Sequence, residues 1–294
     1  MIALLTGGTG YIGRYVALAC LAAGWEVHLL TRKTSVIHPS IDGHVTRHDH
    51  DGGFDGLRAI LESVSPHCVL HLASAPVKAH DPAQVESLLL GNVTFPTLLI
   101  EAMRVTGVRN LVNTGTFWQH YRQSSYWPVD FYAATKQAFE DILRHYTDMH
   151  GMSVVTLKLF DSYGPDDHRR KILNILLDAA RQETELALSP GDQVLDLTHV
   201  EDIGQAFVEA ADILDTAEAG TNQAYYVSGE RMPLKSLVGL IRDRSRTGLR
   251  VELGARPYRE REIMDPIEPG VDLLPNWKPR RRVSDMIDLL MKAD

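Results

Sequence analysis

The chain has 294 residues, of which 44% are hydrophobic and 23% charged, a balance typical of a folded globular protein with a full core. It carries 38 acidic and 30 basic residues, and the net charge of −8 argues against binding to nucleic acid or to an anionic membrane. Cys20 and Cys68 lie in apolar stretches, so they are expected to be reduced core residues, and no metal site is expected. Because Met1 leads directly into an apolar run and no run reaches membrane-spanning length, a cytoplasmic protein is expected.

The first thirteen residues read as a strand, a glycine-rich turn and the beginning of a helix. Residues 1–6 are apolar enough for a buried parallel strand, and Gly7, Gly10 and Gly13 precede a helix predicted over 14–23. Glycines at this spacing permit a tight turn, let a pyrophosphate approach the backbone at the positive end of the helix, and let helix and strand pack closely. A second apolar strand at Glu26–Thr31 completes a βαβ unit, which favours a dinucleotide site over a merely local turn.

The second strand ends in Thr31-Arg32-Lys33, which bears on the choice of cofactor. A carboxylate there would bind the adenosine ribose and repel a 2′-phosphate, whereas a hydroxyl followed by two cations invites that phosphate. NADP(H) is therefore predicted, with NAD(H) still possible if Arg32 and Lys33 are only solvated loop charges. Asp49, just past a short third strand, is expected at the adenine end. A cluster of histidines nearby fits no metal-ligand spacing and is interpreted as part of a solvated connection: His38, His44, His48 and His50.

Polar residues follow the next strands of the predicted sheet. Residues 68–74 read as a fourth strand that runs into a second cofactor loop, and Asp81 with Pro82 predicts a helix start. Asn92 lies in an otherwise apolar part of that helix, so it either braces a neighbouring backbone or is an ordinary satisfied core amide. The fifth strand, predicted over 108–113, is followed by hydroxyl residues at the carboxyl edge of the sheet, where such folds bind ligands.

Tyr132 and Lys136 lie four residues apart in a segment of good helix formers. At this spacing both side chains project from the same helix face. A phenol has an unperturbed pKa of ~10, and a nearby ammonium lowers the pKa toward the range of proton transfer at neutral pH. Thr116 can hold the same substrate oxygen while a nicotinamide exchanges hydride with the carbon that bears it.

Three features together resemble the extended short-chain dehydrogenase/reductases, the nucleotide-sugar epimerase and dehydratase family. They are the segment Thr6-Gly-Gly-Thr-Gly-Tyr-Ile-Gly13, the hydroxyl residue that ends the fifth strand, and the motif Tyr132-x-x-x-Lys136. Segments 157–165 and 198–202 extend the resemblance over nearly the whole chain. The resemblance implies an α/β fold with a Rossmann-type doubly wound parallel sheet. Residues 1–160 would form the dinucleotide-binding core, and residues 161–294 mainly an interleaved substrate-binding lobe with helices near 169–182, 202–214 and 234–244. The family pairs helices 82–105 and 131–150 across a homodimer, which is expected here.

The resemblance also implies roles for individual residues. Thr116 would be the hydroxyl partner, Tyr132 the acid/base, and Lys136 the group that binds the nicotinamide ribose. The expected cofactor-binding residues are Gly7, Thr9, Gly10, Tyr11, Ile12, Gly13, Thr31, Arg32, Lys33, Asp49, Leu72, Ala73, Ser74, Asn92, Thr114, Tyr132, Lys136 and Phe160. The expected substrate-binding residues are Thr116, Phe117, Trp118, Asp161, Arg169 and Arg259.

Departures from the family pattern narrow the expected reaction. Phe117-Trp118 stands where the 4,6-dehydratases have an Asp-Glu pair, which disfavours dehydration. A loop suited to a 2′-phosphate favours a reductase that exchanges NADPH over an epimerase that retains NAD. Segments 113–120, 157–165 and 189–193 are most similar to the CDP-abequose synthase-like 4-ketoreductases of nucleotide-activated 6-deoxy or 3,6-dideoxyhexoses. The alternatives are an NAD-dependent 4-epimerase and a non-catalytic dinucleotide sensor, which would not need the intact Thr, Tyr and Lys set.

One departure affects substrate binding. Leu195 stands where many relatives have an arginine for the nucleotide diphosphate, so another cation must meet that charge. Arg259 is the first candidate, followed by Arg169 and Arg170.

Overall fold

The computed structural model describes residues 1–75, 82–123, 126–245, 248–266 and 272–292. The strands are, in chain order, β1 (Ile2–Thr6), β2 (Glu26–Thr31), β3 (Thr46–Asp49), β4 (Cys68–His71), β5 (Asn110–Thr116), β6 (Ser153–Leu159), β7 (Asp161–Tyr163), β8 (Glu185–Leu188), β9 (Val194–His199), β10 (Asn222–Val227), β11 (Glu230–Pro233) and β12 (Arg250–Leu253). Seven of them form a parallel central sheet in the order β10-β6-β5-β4-β1-β2-β3. This doubly wound order confirms the predicted Rossmann-type fold.

Helices cover both faces of the central sheet, which explains why inner strands such as β1, β4 and β6 are largely apolar and buried on both sides. They are α1 (Tyr11–Ala22), α2 (Phe54–Val64), α3 (Pro82–Leu89), α4 (Phe95–Thr106), α5 (Phe131–His150), α6 (Ile172–Gln182), α7 (Val200–Asp215), α8 (Leu234–Arg244) and α9 (Val283–Lys292). On one face α1 and α7 pack over a core that includes Val16 and Phe207, and on the other α2, α4 and α5 enclose Leu61 and Met103. Cys20 and Cys68 are buried and free, as expected for reduced core residues.

A third apolar cluster lies beside the central sheet. It is formed by α6, α8 and α9 together with a small sheet of order β11-β9-β7 and the pair β12-β8. β7 begins at Asp161, directly after the last buried residues of β6, whereas β10 returns to the edge of the central sheet. The chain after residue 160 therefore contributes both to this third cluster and to the central sheet.

Several element boundaries differ from those predicted. α1 begins at Tyr11, immediately after the glycine turn, and β5 continues to Thr116 because its whole length pairs with β6. The helix predicted over 82–105 is interrupted by a π-helical turn at Leu90–Thr94 that contains Asn92. The predicted cap Asp81 lies outside the described residues.

One prediction about apolar segments needs correction. The segment Gln84–Thr106 is long and apolar enough to cross a membrane by length and composition, although the sequence was expected to contain no such run. This is weak evidence for a span, because core helices of soluble proteins pass the same test. Leu99, Ile100 and Met103 of this segment are fully buried against the central sheet, as in a core helix.

The crossing of α1 and α7 depends on the absence of a side chain at Gly204. A Cβ there would lie 2.6 Å from the Tyr15 carbonyl oxygen and 3.1 Å from the Ala19 Cβ. Gly239 on α8 is a matched control, since a Cβ added to it meets nothing within 4 Å.

We expect Gly204→Ala to lower the free energy of unfolding by ~1–3 kcal/mol through overpacking. Gly239→Ala should instead raise it by roughly 0.5–1 kcal/mol, because alanine favours the helix. Urea denaturation of the two variants measures both changes. Equal shifts for the two variants would contradict the close crossing of α1 and α7.

Candidate active site

The glycine turn after β1 forms a cradle in which backbone atoms approach the glycines closely. Gly7 has a φ of 72°, and a Cβ there would lie 2.6 Å from the Ala73 nitrogen. A Cβ on Gly13 would lie 2.1 Å from the Gly7 carbonyl oxygen, so the first turn of α1 sits directly on the loop. Gly10 is the N-cap residue, and among the described residues no side chain caps this end of α1. The turn therefore presents the positive end of a helix and close backbone access, which fits a pyrophosphate.

The loop that follows β4 lies against this turn. The Ala73 N–H donates to Thr6 Oγ1 at 3.1 Å, and the Leu72 N–H donates to the Thr6 carbonyl oxygen at 3.1 Å. Thr114 Oγ1 donates to the His71 carbonyl oxygen at 2.7 Å, so its hydroxyl supports the loop from β5. The predicted cofactor residues Leu72, Ala73 and Thr114 are thus brought to one edge of the sheet beside Gly7.

Asn92 braces the same loop from the π-helical turn. Its Oδ1 accepts hydrogen bonds from the Ala75 N–H and from Ser74 Oγ, both at 3.0 Å, and its Nδ2 donates to Thr135 Oγ1 at 3.0 Å. The expected bracing of a neighbouring backbone is present. Because both ends of the amide bind protein groups, Asn92 acts on this site through Ser74 and Thr135.

Tyr132 lies at the beginning of α5, where Asp130 Oδ1 caps the helix by accepting from the Ala133 N–H at 2.8 Å. Burial of the phenol raises its pKa, and a hydrogen bond with Ser74 opposes this rise. The net direction is opposite to the one expected from the sequence, because removal of the phenolate from water outweighs the favourable contacts. Tyr132 is therefore a protonated phenol held by Ser74.

Lys136 is buried one helical turn beyond Tyr132. Burial lowers the pKa of its ammonium to about 8, Glu140 opposes that shift, and Lys158 adds to it. His71 lies nearby on β4, where burial lowers its pKa to about 3 and keeps the ring neutral. The charge of Lys136 thus depends on a balance between neighbouring groups.

Thr116 ends β5 and starts a short 3₁₀ turn, Phe117–Gln119, that packs against α5. Its N–H donates to Gln119 Oε1 at 2.9 Å, and its Oγ1 accepts from the Trp118 N–H at 3.4 Å. Gln119 is fully buried and was not predicted from the sequence. The Thr-x-x-Gln spacing of a capping box is the signal that could have identified it.

At the adenosine end of the predicted cofactor site, a carboxylate is contributed by β3 and not by β2. The β2–β3 register places Asp49 beside Thr31, whose Oγ1 donates to Asp49 Oδ1 at 3.1 Å. Arg47 Nε donates to the same oxygen at 2.7 Å, and this hydrogen bond holds the pKa of Asp49 below its usual range. Arg47 also donates to the backbone carbonyl oxygens of Arg32 and Lys33, at 3.1 and 3.0 Å. It therefore holds the backbone of this loop, while the Arg32 and Lys33 side chains remain exposed.

The histidine stretch is more than a solvated connection. His48 belongs to β3, and its Nε2 lies 2.8 Å from Nδ1 of the buried His28. His38 Nε2 lies 2.6 Å from Nη1 of Arg14, near the start of α1. Over the ranges that the structure describes, no group of three or more His, Cys, Asp or Glu residues could hold a metal ion.

Aromatic rings line the site beyond Thr116. The ring centroids of Phe117 and Trp118 lie 6.1 Å apart, and those of Phe117 and Phe160 lie 4.9 Å apart. Asp161, the next residue, pairs with Lys171 at 3.1 Å. Lys171 is the N-cap residue of α6. This cation was not predicted from the sequence as part of the site.

The arginines proposed for the substrate diphosphate are differently placed. Arg169 is engaged by Asp167 at 2.7 Å and lies 4.3 Å from the ring centroid of Tyr11, so it belongs to the glycine turn. Arg170 and Arg259 are both exposed. The backbone N–H of Arg259 donates to Glu262 Oε2 at 3.2 Å. Leu195 packs against the third apolar cluster and pairs with Met232 across β9 and β11.

Comparison with known proteins places this geometry in a family. CDP-abequose synthase of Yersinia pseudotuberculosis is 26% identical over 264 residues, which cover 90% of each chain. UDP-glucose 4-epimerase of Corynebacterium glutamicum is 24% identical over 82% of this chain and 79% of its own. The structure of UDP-glucose 4-epimerase from Stenotrophomonas maltophila with bound NAD and formylated UDP-arabinopyranose superimposes with a TM-score of 0.84 at 18% identity, covering 100% of this chain and 98% of that one. Residues 3–227 match the model of the NAD dependent epimerase/dehydratase family, and the chain belongs to that family.

Proposed function

We propose that this protein modifies a nucleotide sugar, and that it is an NADPH-dependent 4-ketoreductase of a nucleotide-activated 6-deoxy or 3,6-dideoxyhexose. The observation that carries the proposal is the placement of Tyr132 and Lys136 on one face of α5, beside the Thr116 turn and the loop that lies on the glycine cradle. The similarity to CDP-abequose synthase, over nine-tenths of both chains, supports the choice of substrate class. The protein would act in the cytoplasm.

The residues of this chain have distinct roles in the proposed reduction. NADPH, when bound, would supply a hydride to the carbonyl carbon. Tyr132 donates its proton to the carbonyl oxygen as that oxygen gains negative charge, and the Thr116 hydroxyl orients the same oxygen. Lys136 binds the ribose next to the nicotinamide. Ser74 forms a hydrogen bond with the Tyr132 hydroxyl and would keep it oriented toward the substrate.

The Tyr132 phenol is protonated throughout the neutral range, which is the form that a reduction needs at the start of the chemical step. An epimerase uses the same group first as a base and then as an acid, so the direction of the Tyr132 pKa shift does not choose between the two reactions.

The NAD-dependent 4-epimerase remains the second candidate because of Asp49. Its carboxylate lies beside Thr31 at the end of β2, where it can accept ribose hydroxyls and repel a 2′-phosphate. Arg32 and Lys33 are exposed on the adjoining loop and favour the phosphate. The preference for NADPH therefore depends on whether these two cations outweigh one carboxylate that Arg47 already partly neutralises.

A homodimer is part of the proposal. Leu89, Leu90 and Val105 are exposed along α3, the π-helical turn and α4, and Met149 is exposed at the end of α5. These apolar side chains lie on the two helices that the family pairs between subunits, so a second copy of the chain would cover them.

Replacement of Tyr132 tests the assignment of the proton donor. We expect Tyr132→Phe to reduce turnover of CDP- and dTDP-linked 4-keto-6-deoxyhexoses by roughly 10²–10⁴-fold, because the positioned proton is lost. NADPH affinity, measured by fluorescence titration, should stay within about twofold because the ring remains. Tyr126→Phe, at an exposed tyrosine, is the matched control and should retain full activity. Substantial turnover by the Tyr132 variant would rule out the assignment.

The cofactor preference is tested by Arg32→Ala combined with Lys33→Ala. We expect NADPH affinity to fall by about tenfold or more, since charge-assisted hydrogen bonds contribute ~1.5–3 kcal/mol each, whereas NADH affinity should not change. Arg58→Ala, at an exposed arginine of α2, serves as control. The as-purified protein is also analysed for bound nucleotide. Tightly retained NAD, or an equal loss for both cofactors, would favour the epimerase.

The proposed diphosphate ligand is tested by Arg259→Met, with Arg256→Met as control on the same exposed segment. Loss of a cation that binds the ground state and the transition state equally should raise KM for the sugar nucleotide about tenfold or more, with kcat little changed. If only Lys171→Met raises KM, the α6 N-terminus is the diphosphate site and the assignment of Arg259 is wrong.

A further inference from the structure

A buried ion pair lies next to the proposed catalytic residues but has no role in the chemistry described above. Lys158 Nζ on β6 lies 2.6 Å from Oε2 and 2.8 Å from Oε1 of Glu140 on α5. The two side chains are only 4% and 14% exposed. Glu140 follows Lys136 by one helical turn and Tyr132 by two, so the three side chains form one row along α5.

Stability alone does not account for this pair. Removing two charges from water costs several kcal/mol, and apolar residues of similar volume are often equally or more stabilising at such positions. The absence of a side chain at Gly115 also makes room for the pair, because a Cβ there would lie 2.8 Å from Lys158 Cδ and 2.9 Å from Glu140 Oε1. We therefore expect this buried charged pair to have a role in the neighbouring site.

The Glu140 carboxylate is connected to Thr116 through Gln119. Gln119 Nε2 donates to Glu140 Oε1 at 3.0 Å and also to Gln137 Oε1 at 2.7 Å, while Gln119 Oε1 accepts from the Thr116 N–H at 2.9 Å. The amide orientation of Gln119 is thereby fixed, since each of its polar atoms has a partner of the correct kind. The backbone of Thr116 is thus anchored to the ion pair.

The same carboxylate is the anion that acts on Lys136. Glu140 acts on Lys136 from α5 and Lys158 acts on it from β6, while Lys136 itself acts on the neutral His71 of β4. Tyr132 precedes Lys136 by one turn of α5. Asp141 acts on Lys158 from the neighbouring position on α5. Glu140 favours the charged form of Lys136, and Lys158 disfavours it.

We propose that Glu140 is a positioning residue of the active site, whose carboxylate, held by Lys158, anchors Thr116 through Gln119 and maintains the charge of the Lys136 ammonium. The inference rests on the proposed role of Lys136 and Thr116 in hydride transfer. Lys158 has the complementary role, because it holds the carboxylate and limits how strongly the carboxylate favours the charged lysine. Burial lowers the pKa of Lys136 to about 8, and the two members of the pair act on that pKa in opposite directions.

The test measures the pKa of Lys136 directly in the full-length protein, without substrate. Lysine labelled with ¹³C at Cε is incorporated, the Lys136 signal is assigned by its loss in Lys136→Arg, and its chemical shift is followed from pH 6 to 11. Glu140→Gln removes the anion but keeps the shape and an acceptor for Gln119. Lys158→Met removes the opposing cation and keeps the apolar stem.

The two variants should move the pKa of Lys136 in opposite directions. Glu140→Gln is expected to lower it and Lys158→Met to raise it, each by ~1 unit or more as is usual for a close charge. The double variant should lie between them. If the pair were merely structural, the pKa of Lys136 would shift in the same direction in both single variants or in neither of them. That result would overturn the proposal. If Glu140→Gln does not fold, Lys158→Met decides alone: a raised pKa supports the proposal and an unchanged or lowered one overturns it.

Activity measurements then separate this proposal from the proposed function. If no 4-keto sugar nucleotide is reduced while the opposite shifts are found, the ketoreductase assignment fails and the role of the ion pair stands. If reduction occurs, the alkaline limb of kcat for each variant should move with its measured Lys136 pKa. A limb that stays at the wild-type pH in both variants would overturn the link between the pair and catalysis.

Discussion

The close approach of the Gly7 backbone to Ala73 is the constraint on which the site depends. The left-handed φ of Gly7 and its lack of a Cβ let the loops after β1 and β4 meet at one point of the sheet edge. From that point the polar contacts continue outward. Ala75 and Ser74 are held by Asn92, Asn92 is held by Thr135 on α5, and Ser74 binds Tyr132 on the same helix. The position of the proposed acid relative to the cradle therefore follows from a backbone contact.

The two central titratable groups of the site are both driven toward their neutral forms by burial. For Tyr132 this means that the proton is retained, and for Lys136 that the proton is held less firmly. Their environments differ in the contacts that oppose burial, since Tyr132 has a hydroxyl partner and Lys136 has a carboxylate neighbour. Within one helical turn, burial thus leaves the phenol protonated, whereas the carboxylate neighbour of the ammonium favours its charged form.

Local sequence patterns predicted the parts of the site that lie on one element. The glycine turn, the βαβ unit and the Tyr132 to Lys136 spacing each depend on a few consecutive residues, and the resemblance that these motifs carry implied the parallel fold. What could not be predicted depends on pairing between distant elements. Asp49 was predicted at the adenine end, but its contact with Thr31 depends on the register of β2 and β3, and the packing of α5 on β6 brings Glu140 to Lys158. Likewise, burial decided the direction of the Tyr132 pKa shift, and burial is a property of the whole fold.

Gly115 ties sequence variation on three elements together. A Cβ at position 115 would lie close to Lys158 Cδ and Glu140 Oε1, so a larger residue there would require both side chains to shift. Substitutions at positions 115, 140 and 158 are therefore expected to be coupled energetically. Gly115, the penultimate residue of β5, therefore provides room for a charged pair that is contributed by two other elements, α5 and β6.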